Sequence, residues 1–198
     1  TPALGGEDQV STFYWLNASR GFALGRDGFL LGTASWQARR RNESFENSFA
    51  LFRVNAVQKL ALRKLVLAKA ELRYGSDLDP EVQVRLGAES GLRGYPVRQF
   101  NGDRALLFSV EGRWFFVDDV ANLVSAGVAA FVDSGYAWAV GAPMRFDDLR
   151  SNLGASLLLG LSRGAAGRPG IRIDVAYALQ PIEGRSPWLV SFGSRIGF

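Results

Sequence analysis

The side chains able to do chemistry in this chain are few and nearly all of one kind. Its 198 residues include no histidine and no cysteine, which removes the usual general base, the commonest metal ligand and every thiolate nucleophile. Catalysis by a Ser/His or Asp/His pair is therefore excluded. The remaining acids fall in short groups, Asp77 with Asp79, Asp118-Asp119 and Asp147-Asp148, in turn-like stretches where carboxylates are ordinarily solvated. None has the spacing of an EF-hand calcium loop. We expect no catalytic residue, no resident metal and no cofactor, and we do not expect an enzyme. What stands out is Gly91-Leu92-Arg93-Gly94-Tyr95-Pro96, followed by Glu111 and then by Phe131-Val132-Asp133-Ser134-Gly135. A guanidinium fork matches a carboxylate with two parallel hydrogen bonds, so an arginine in such a run is suited to pairing with acids rather than to a reaction.

Composition narrows the partners. The 23 basic and 19 acidic residues give a net charge of +4, spread along the chain with Arg39-Arg40-Arg41 as the one cluster. Basic residues alternate with apolar ones instead of forming a patch interleaved with aromatics, so nucleic acid is not an expected partner. The hydrophobic fraction of 47% is ordinary. The longest apolar stretch, 123–132, ends at Asp133, well short of the roughly 20 residues a spanning helix needs. If the chain crosses a bilayer, it does so with strands. No positively charged leader with an apolar core precedes the first motif, so any export signal is expected to lie outside these residues.

Periodicity supplies the elements. In 105–116, Leu106, Phe108, Val110, Trp114 and Phe116 fall on one face and Ser109, Glu111 and Arg113 on the other; period two means strand. The pattern returns at Ile171, Ile173, Val175, Tyr177 and Leu179 against Arg172, Asp174 and Gln180, and again over 188–198. About ten strands are predicted, at 11–16, 28–39, 45–57, 62–74, 82–88, 105–116, 125–138, 151–162, 171–179 and 188–198, in one domain covering 1–198. Strands near eleven residues with an apolar face, a polar face and aromatics toward their ends describe an all-β, antiparallel transmembrane β-barrel. Trp114, Phe116, Tyr136, Trp138, Trp188 and Phe198 are the expected girdle. In such a barrel Glu111 and Asp133 point into the lumen, while Val128, Ala130 and Val132 face lipid. Ten strands could close on themselves or form the last part of a larger barrel.

At Leu92-Arg93-Gly94-Tyr95 the chain resembles the bacterial surface-antigen superfamily of outer-membrane barrels: the BamA- and TamA-type assembly factors, the two-partner-secretion transporters and the barrels attached to patatin-like proteins. The resemblance covers roughly the C-terminal two thirds and includes Gly102-Asp103, Glu111 and the Phe131, Asp133, Gly135 motif in order. It implies a loop folded back into the lumen, with Arg93 held by Glu111 and Asp133, Gly94 allowing a tight turn and Tyr95 packed on the wall. It also implies that the chain is the C-terminal part of a sixteen-stranded barrel, with the periplasmic POTRA domains absent from it. Gly193, Ile196 and Phe198 are similar to the terminal signal by which such barrels are recognised for assembly. The loop around the Arg-Gly-Tyr motif reads as short for the family.

The implied function is insertion or translocation of polypeptides at the bacterial outer membrane, with outer-membrane lipids and client strands or a passenger protein as partners. The alternative is a membrane anchor or export barrel for a fused enzyme domain such as a patatin-like lipase, which a short loop favours. Arg39-Arg40-Arg41 would suit lipopolysaccharide phosphates on the outside, but counting strands back from the Arg93 loop puts it on the periplasmic side.

Overall fold

A computed structural model describes residues 11–41, 43–79, 81–120, 124–161 and 169–195. The chain is all-β. Its strands are β1 (Ser11–Ala23), β2 (Gly28–Arg41), β3 (Ser44–Ala61), β4 (Lys64–Ser76), β5 (Val84–Leu86), β6 (Phe100–Gly102), β7 (Arg104–Val120), β8 (Val124–Trp138), β9 (Arg150–Leu161), β10 (Pro169–Ala178) and β11 (Trp188–Arg195). Nine of them form one antiparallel meander in the order β1-β2-β3-β4-β7-β8-β9-β10-β11, and β5 pairs with β6 in a separate ribbon. Among the described residues no helix is long and apolar enough to cross a membrane.

Three expectations change here. The sheet is open, not a closed barrel: among the described residues β1 pairs only with β2 and β11 only with β10. The segment 82–88 is not a strand of the main sheet. Its alternation of Val82, Val84 and Leu86 imitates one, but β4 pairs directly with β7 from Lys64↔Trp114 to Tyr74↔Arg104, leaving 77–103 as one long connection. The loop around the Arg-Gly-Tyr motif is therefore long. Removing one strand from the count also reverses the parity of everything before it. Arg41 ends β2 opposite Ser44, and Ser48 pairs with Ser76 where β4 runs into the long loop, so the arginine cluster lies at the same end as that loop. Arg39 Nη2 confirms the proximity by donating to Asp79 Oδ1 of the loop at 2.7 Å and to Glu46 Oε2 at 3.2 Å. Three connections at this end, 77–103, 139–149 and 179–187, are long and the fourth, 42–43, is two residues; 24–27 and 62–63 at the opposite end are short, and β9 and β10 are separated there by 162–168.

The strands also run longer than expected on the β3 and β7 side, where these two reach 18 and 17 residues. Their polarity is inverted relative to a water-soluble sheet. Ser109, Glu111, Arg113, Asp133, Asn152, Ser156, Arg172 and Asp174 are buried, while Phe108, Val110, Trp114, Phe116, Val128, Val132, Leu157, Ile171 and Val190 are exposed. What covers the polar face is the 77–103 loop. Both apolar clusters lie where it meets the sheet: Leu92, Tyr95, Leu107 and Ala178 with Phe100 and Ile182 against them, and Val84, Leu86 and Ala105 backed by Phe49, Phe100 and Ala137. Of the expected girdle residues, Trp114, Phe116 and Trp188 are exposed, whereas Trp138 is buried. Its ring stacks on Tyr136 at 5.7 Å and its backbone lies against Gly102, where a Cβ would come within 2.5 Å of the Trp138 carbonyl oxygen. Phe198 and Ile196 lie outside the described residues; Gly193 is in β11, opposite Arg172.

Candidate functional site: a buried arginine clamp under the 77–103 loop

The loop is tied to itself before it meets the sheet. A one-turn 3-10 helix, Ala88–Ser90, ends at Gly91, whose φ of 110° is a backbone conformation that side-chain-bearing residues rarely adopt. The Leu92 N–H donates to the Gly87 carbonyl at 3.0 Å, the Tyr95 N–H to Leu92 O at 3.1 Å and the Ala88 N–H to Tyr95 O at 3.1 Å. These bonds make Leu92-Arg93-Gly94-Tyr95 a four-residue turn that presents Arg93 downward.

The sheet supplies the receptor. Pairing of Ser109 with Asp133 and of Glu111 with Phe131 across β7 and β8 places both acids on one face, as the alternation predicts. Arg93 Nε and Nη2 grip Asp133 at 2.8 and 2.6 Å, and Nη1 donates to Glu111 Oε2 at 2.5 Å. Ser109 Oγ accepts from Nη2 at 3.2 Å and donates to Asp133 Oδ1 at 2.7 Å. The guanidinium lies over the Phe131 ring, 3.5 Å from its centroid, so the Phe-x-Asp-x-Gly strand contributes a cation–π platform as well as a carboxylate. Burial alone would lower the pKa of Arg93; Asp133 and Glu111 outweigh it and raise the pKa above its ordinary value. Arg93 stays charged, and the arrangement holds a loop rather than moving a proton.

The sequence placed Arg172 and Asp174 on the polar face without connecting them to the clamp. Arg172, two strands beyond β8, reaches Glu111 with Nη1 at 2.9 Å and Nη2 at 2.7 Å, and its Nε donates to Asp174 at 2.7 Å. Arg113 Nε donates to Glu111 Oε1 at 2.5 Å. Glu111, 1% exposed, thus accepts from three guanidinium groups, and its two oxygens are saturated. Three arginines, 93, 113 and 172, face three acids, 111, 133 and 174, so the cluster is formally neutral.

Gly94 and Tyr95 complete the seat. Gly94 has no positive φ, which corrects its expected role in bending the chain. Its requirement is space: a Cβ there would stand 2.4 Å from Asn152 Cβ on β9. Gly94→Ala should therefore push the turn off the sheet and cost about 1–3 kcal/mol, as overpacking does, read as lowered thermal stability with faster amide exchange confined to the loop. Tyr95, 1% exposed, stacks edge-on to Phe100 at 5.1 Å, and its hydroxyl lies 3.1 Å from Ser151 O and 3.2 Å from Gln180 O. Gly135 leaves room for Leu107 and Leu86, whose methyl carbons would be 3.3 and 3.4 Å from a Cβ. Asn152 is buried beneath the turn, and its amide makes no hydrogen bond among the described residues.

No protein-family model matches this chain, and no curated protein matches it. The likeness to the surface-antigen barrels therefore rests on Arg93, Gly94, Tyr95, Glu111, Phe131, Asp133 and Gly135 themselves. Of the other acids, Asp79 is taken by Arg39 and Asn47, and Asp147 and Asp148 lie in a one-turn helix, Phe146–Asp148. The Asp118 and Asp119 side chains lie outside what is described. Among the described residues no group of three potential ligands is placed to hold a metal.

Proposed function

We propose that this chain is part of an outer-membrane β-barrel of the BamA/TamA type, which inserts or translocates polypeptides. The observation that carries the reading is the combination of an exposed apolar face with a buried polar face on which a loop arginine is held by two acids. A sheet that shows Phe116 and Val132 outward and buries Glu111 and Asp133 is unstable in water and well matched to hydrocarbon outside and a polar lumen inside. Three long connections at the loop end, 77–103, 139–149 and 179–187, fit the extracellular end of such barrels.

Strand direction bears on size. Among the described residues the meander has nine strands, so β1 and β11 point the same way and joining them would require a parallel seam. A second copy in the same membrane orientation meets the same obstacle. All-antiparallel closure needs an odd number of further strands, and a sixteen-stranded barrel would supply seven. The anchor alternative drew support from a short loop, which the 77–103 connection does not provide.

The test uses the complete gene product reconstituted in lipid vesicles, with folding of an outer-membrane barrel client followed by its heat-modifiable gel mobility. Faster client folding than in empty vesicles is the expected result. A product that inserts and is itself heat-modifiable, yet leaves client folding unchanged, would leave the anchor reading in its place.

A further inference from the structure

A second charged cluster lies on the polar face beside the clamp, and it is not balanced. Glu71 on β4, 1% exposed, accepts from Arg53 Nε at 2.6 Å and Arg73 Nε at 2.6 Å, with Lys69 Nζ 3.4 Å away. Three cations share one carboxylate, where the clamp has three for three. Arg73 Nη1 donates to the Arg85 carbonyl of β5 at 3.2 Å, and Arg85 is a further basic residue lining the neighbouring cavity. Glu89, the one acid among the described residues that line the adjoining cavity, has both oxygens engaged by the Arg98 backbone N–H at 3.1 Å.

Of these groups, Arg53, Arg73, Arg85 and Glu89 line this cavity of about 660 Å³ between the loop and β2–β4. Arg53 gives only its Nε to the protein. Its two terminal nitrogens and the Arg85 guanidinium make no hydrogen bond among the described residues, and both residues line the cavity. Phe49, Leu51, Val82 and Val84 line it as well. A space of this size lined by two guanidinium groups with unspent donors and by apolar side chains suits a small organic anion.

We propose that this cavity binds a phosphomonoester carrying an apolar body, its phosphate held by Arg53 and Arg85 and its body against Phe49 and Leu51. The excess positive charge around Glu71 favours a dianion over a carboxylate, and guanidinium forks bind tetrahedral oxyanions through paired charge-assisted bonds. Nothing in this depends on where the protein resides or on the clamp, whose six charges already satisfy one another.

Phenyl phosphate is the probe, titrated calorimetrically into the full chain in a zwitterionic detergent at low salt, with phenol and inorganic phosphate titrated alongside. Saturable binding of phenyl phosphate is expected, weaker by about tenfold or more in Arg85→Gln and in Arg53→Gln, while the control Arg20→Gln on β1 binds as the parent does. Arg85 makes no ion pair among the described residues, so its variant reads the site even where Arg53→Gln lowers stability; strand circular dichroism monitors both. Equal affinity for phenol, unchanged affinity in Arg85→Gln, or no saturation at millimolar probe would overturn the assignment. Inorganic phosphate binding as tightly as the ester would overturn the apolar subsite.

Discussion

Replacing Glu111 with glutamine is expected to produce the largest loss of stability of any single change in this chain. Its carboxylate is the partner shared by Arg93, Arg113 and Arg172, drawn from the loop, from β7 and from β10. Glutamine keeps the shape but removes the charge and replaces one acceptor oxygen with a donor amide aimed at guanidinium N–H groups. Three buried cations would then face only Asp133 and Asp174. Breaking a buried pair by removing one partner typically costs about 3–5 kcal/mol, and a group serving three partners belongs at the upper end. Equilibrium unfolding in detergent, followed by tryptophan fluorescence, measures it. The double variant Glu111→Gln/Arg172→Gln should recover part of the loss, because it also removes one of the stranded cations. Simple additivity of the two losses would mean that the pair does not interact as its geometry requires.

Arg93→Ala has the second largest expected effect, and a more local one. Asp133 and Glu111 retain Ser109, Arg113 and Arg172, so the sheet keeps most of its polar network while the loop loses its anchor. About 3 kcal/mol of lost docking raises the open population of the loop about 100-fold. Hydrogen exchange should quicken by that factor at Ala88, Leu92 and Tyr95, whose N–H groups bond within the loop, and protease access across 97–103 should increase. Protection in β9 and β10 should change little. Arg93→Lys should not rescue it, since an ammonium cannot span Asp133 with two parallel bonds while reaching Glu111. Unchanged exchange across 87–98 in Arg93→Ala would show that the apolar contacts of Leu92 and Tyr95 hold the loop without the clamp.

Glu111 and Asp133 could be placed on one face from sequence because strand alternation is rigid geometry: a side chain two positions on cannot point elsewhere. The same rule put Arg172 and Asp174 on that face. It could not show that Arg172 reaches Glu111, because β7 and β10 are not neighbours and contact between them depends on how the face is arranged in three dimensions. The error at 82–88 has a related origin. Val82, Val84 and Leu86 alternate because Val84 and Leu86 pack against Ala105, which a loop lying on a sheet demands as much as a strand within one does. That single misreading made the loop short and moved Arg39-Arg40-Arg41 to the wrong end. Gly94 was legible as a necessary glycine, but its reason, the approach of Asn152, belongs to a strand far along the chain.

The central claim is that the exposed apolar face of the sheet meets lipid. Two single-tryptophan variants test it most directly, one retaining Trp114 and one retaining Trp138, each reconstituted in vesicles of brominated phosphatidylcholine. Trp114 stands exposed on the apolar face and Trp138 is buried against the β5–β6 ribbon. Strong quenching of Trp114 by bromine on the acyl chains, with Trp138 largely spared, is the predicted result. Equal, weak quenching of both, with the protein remaining in the aqueous phase, would contradict the account.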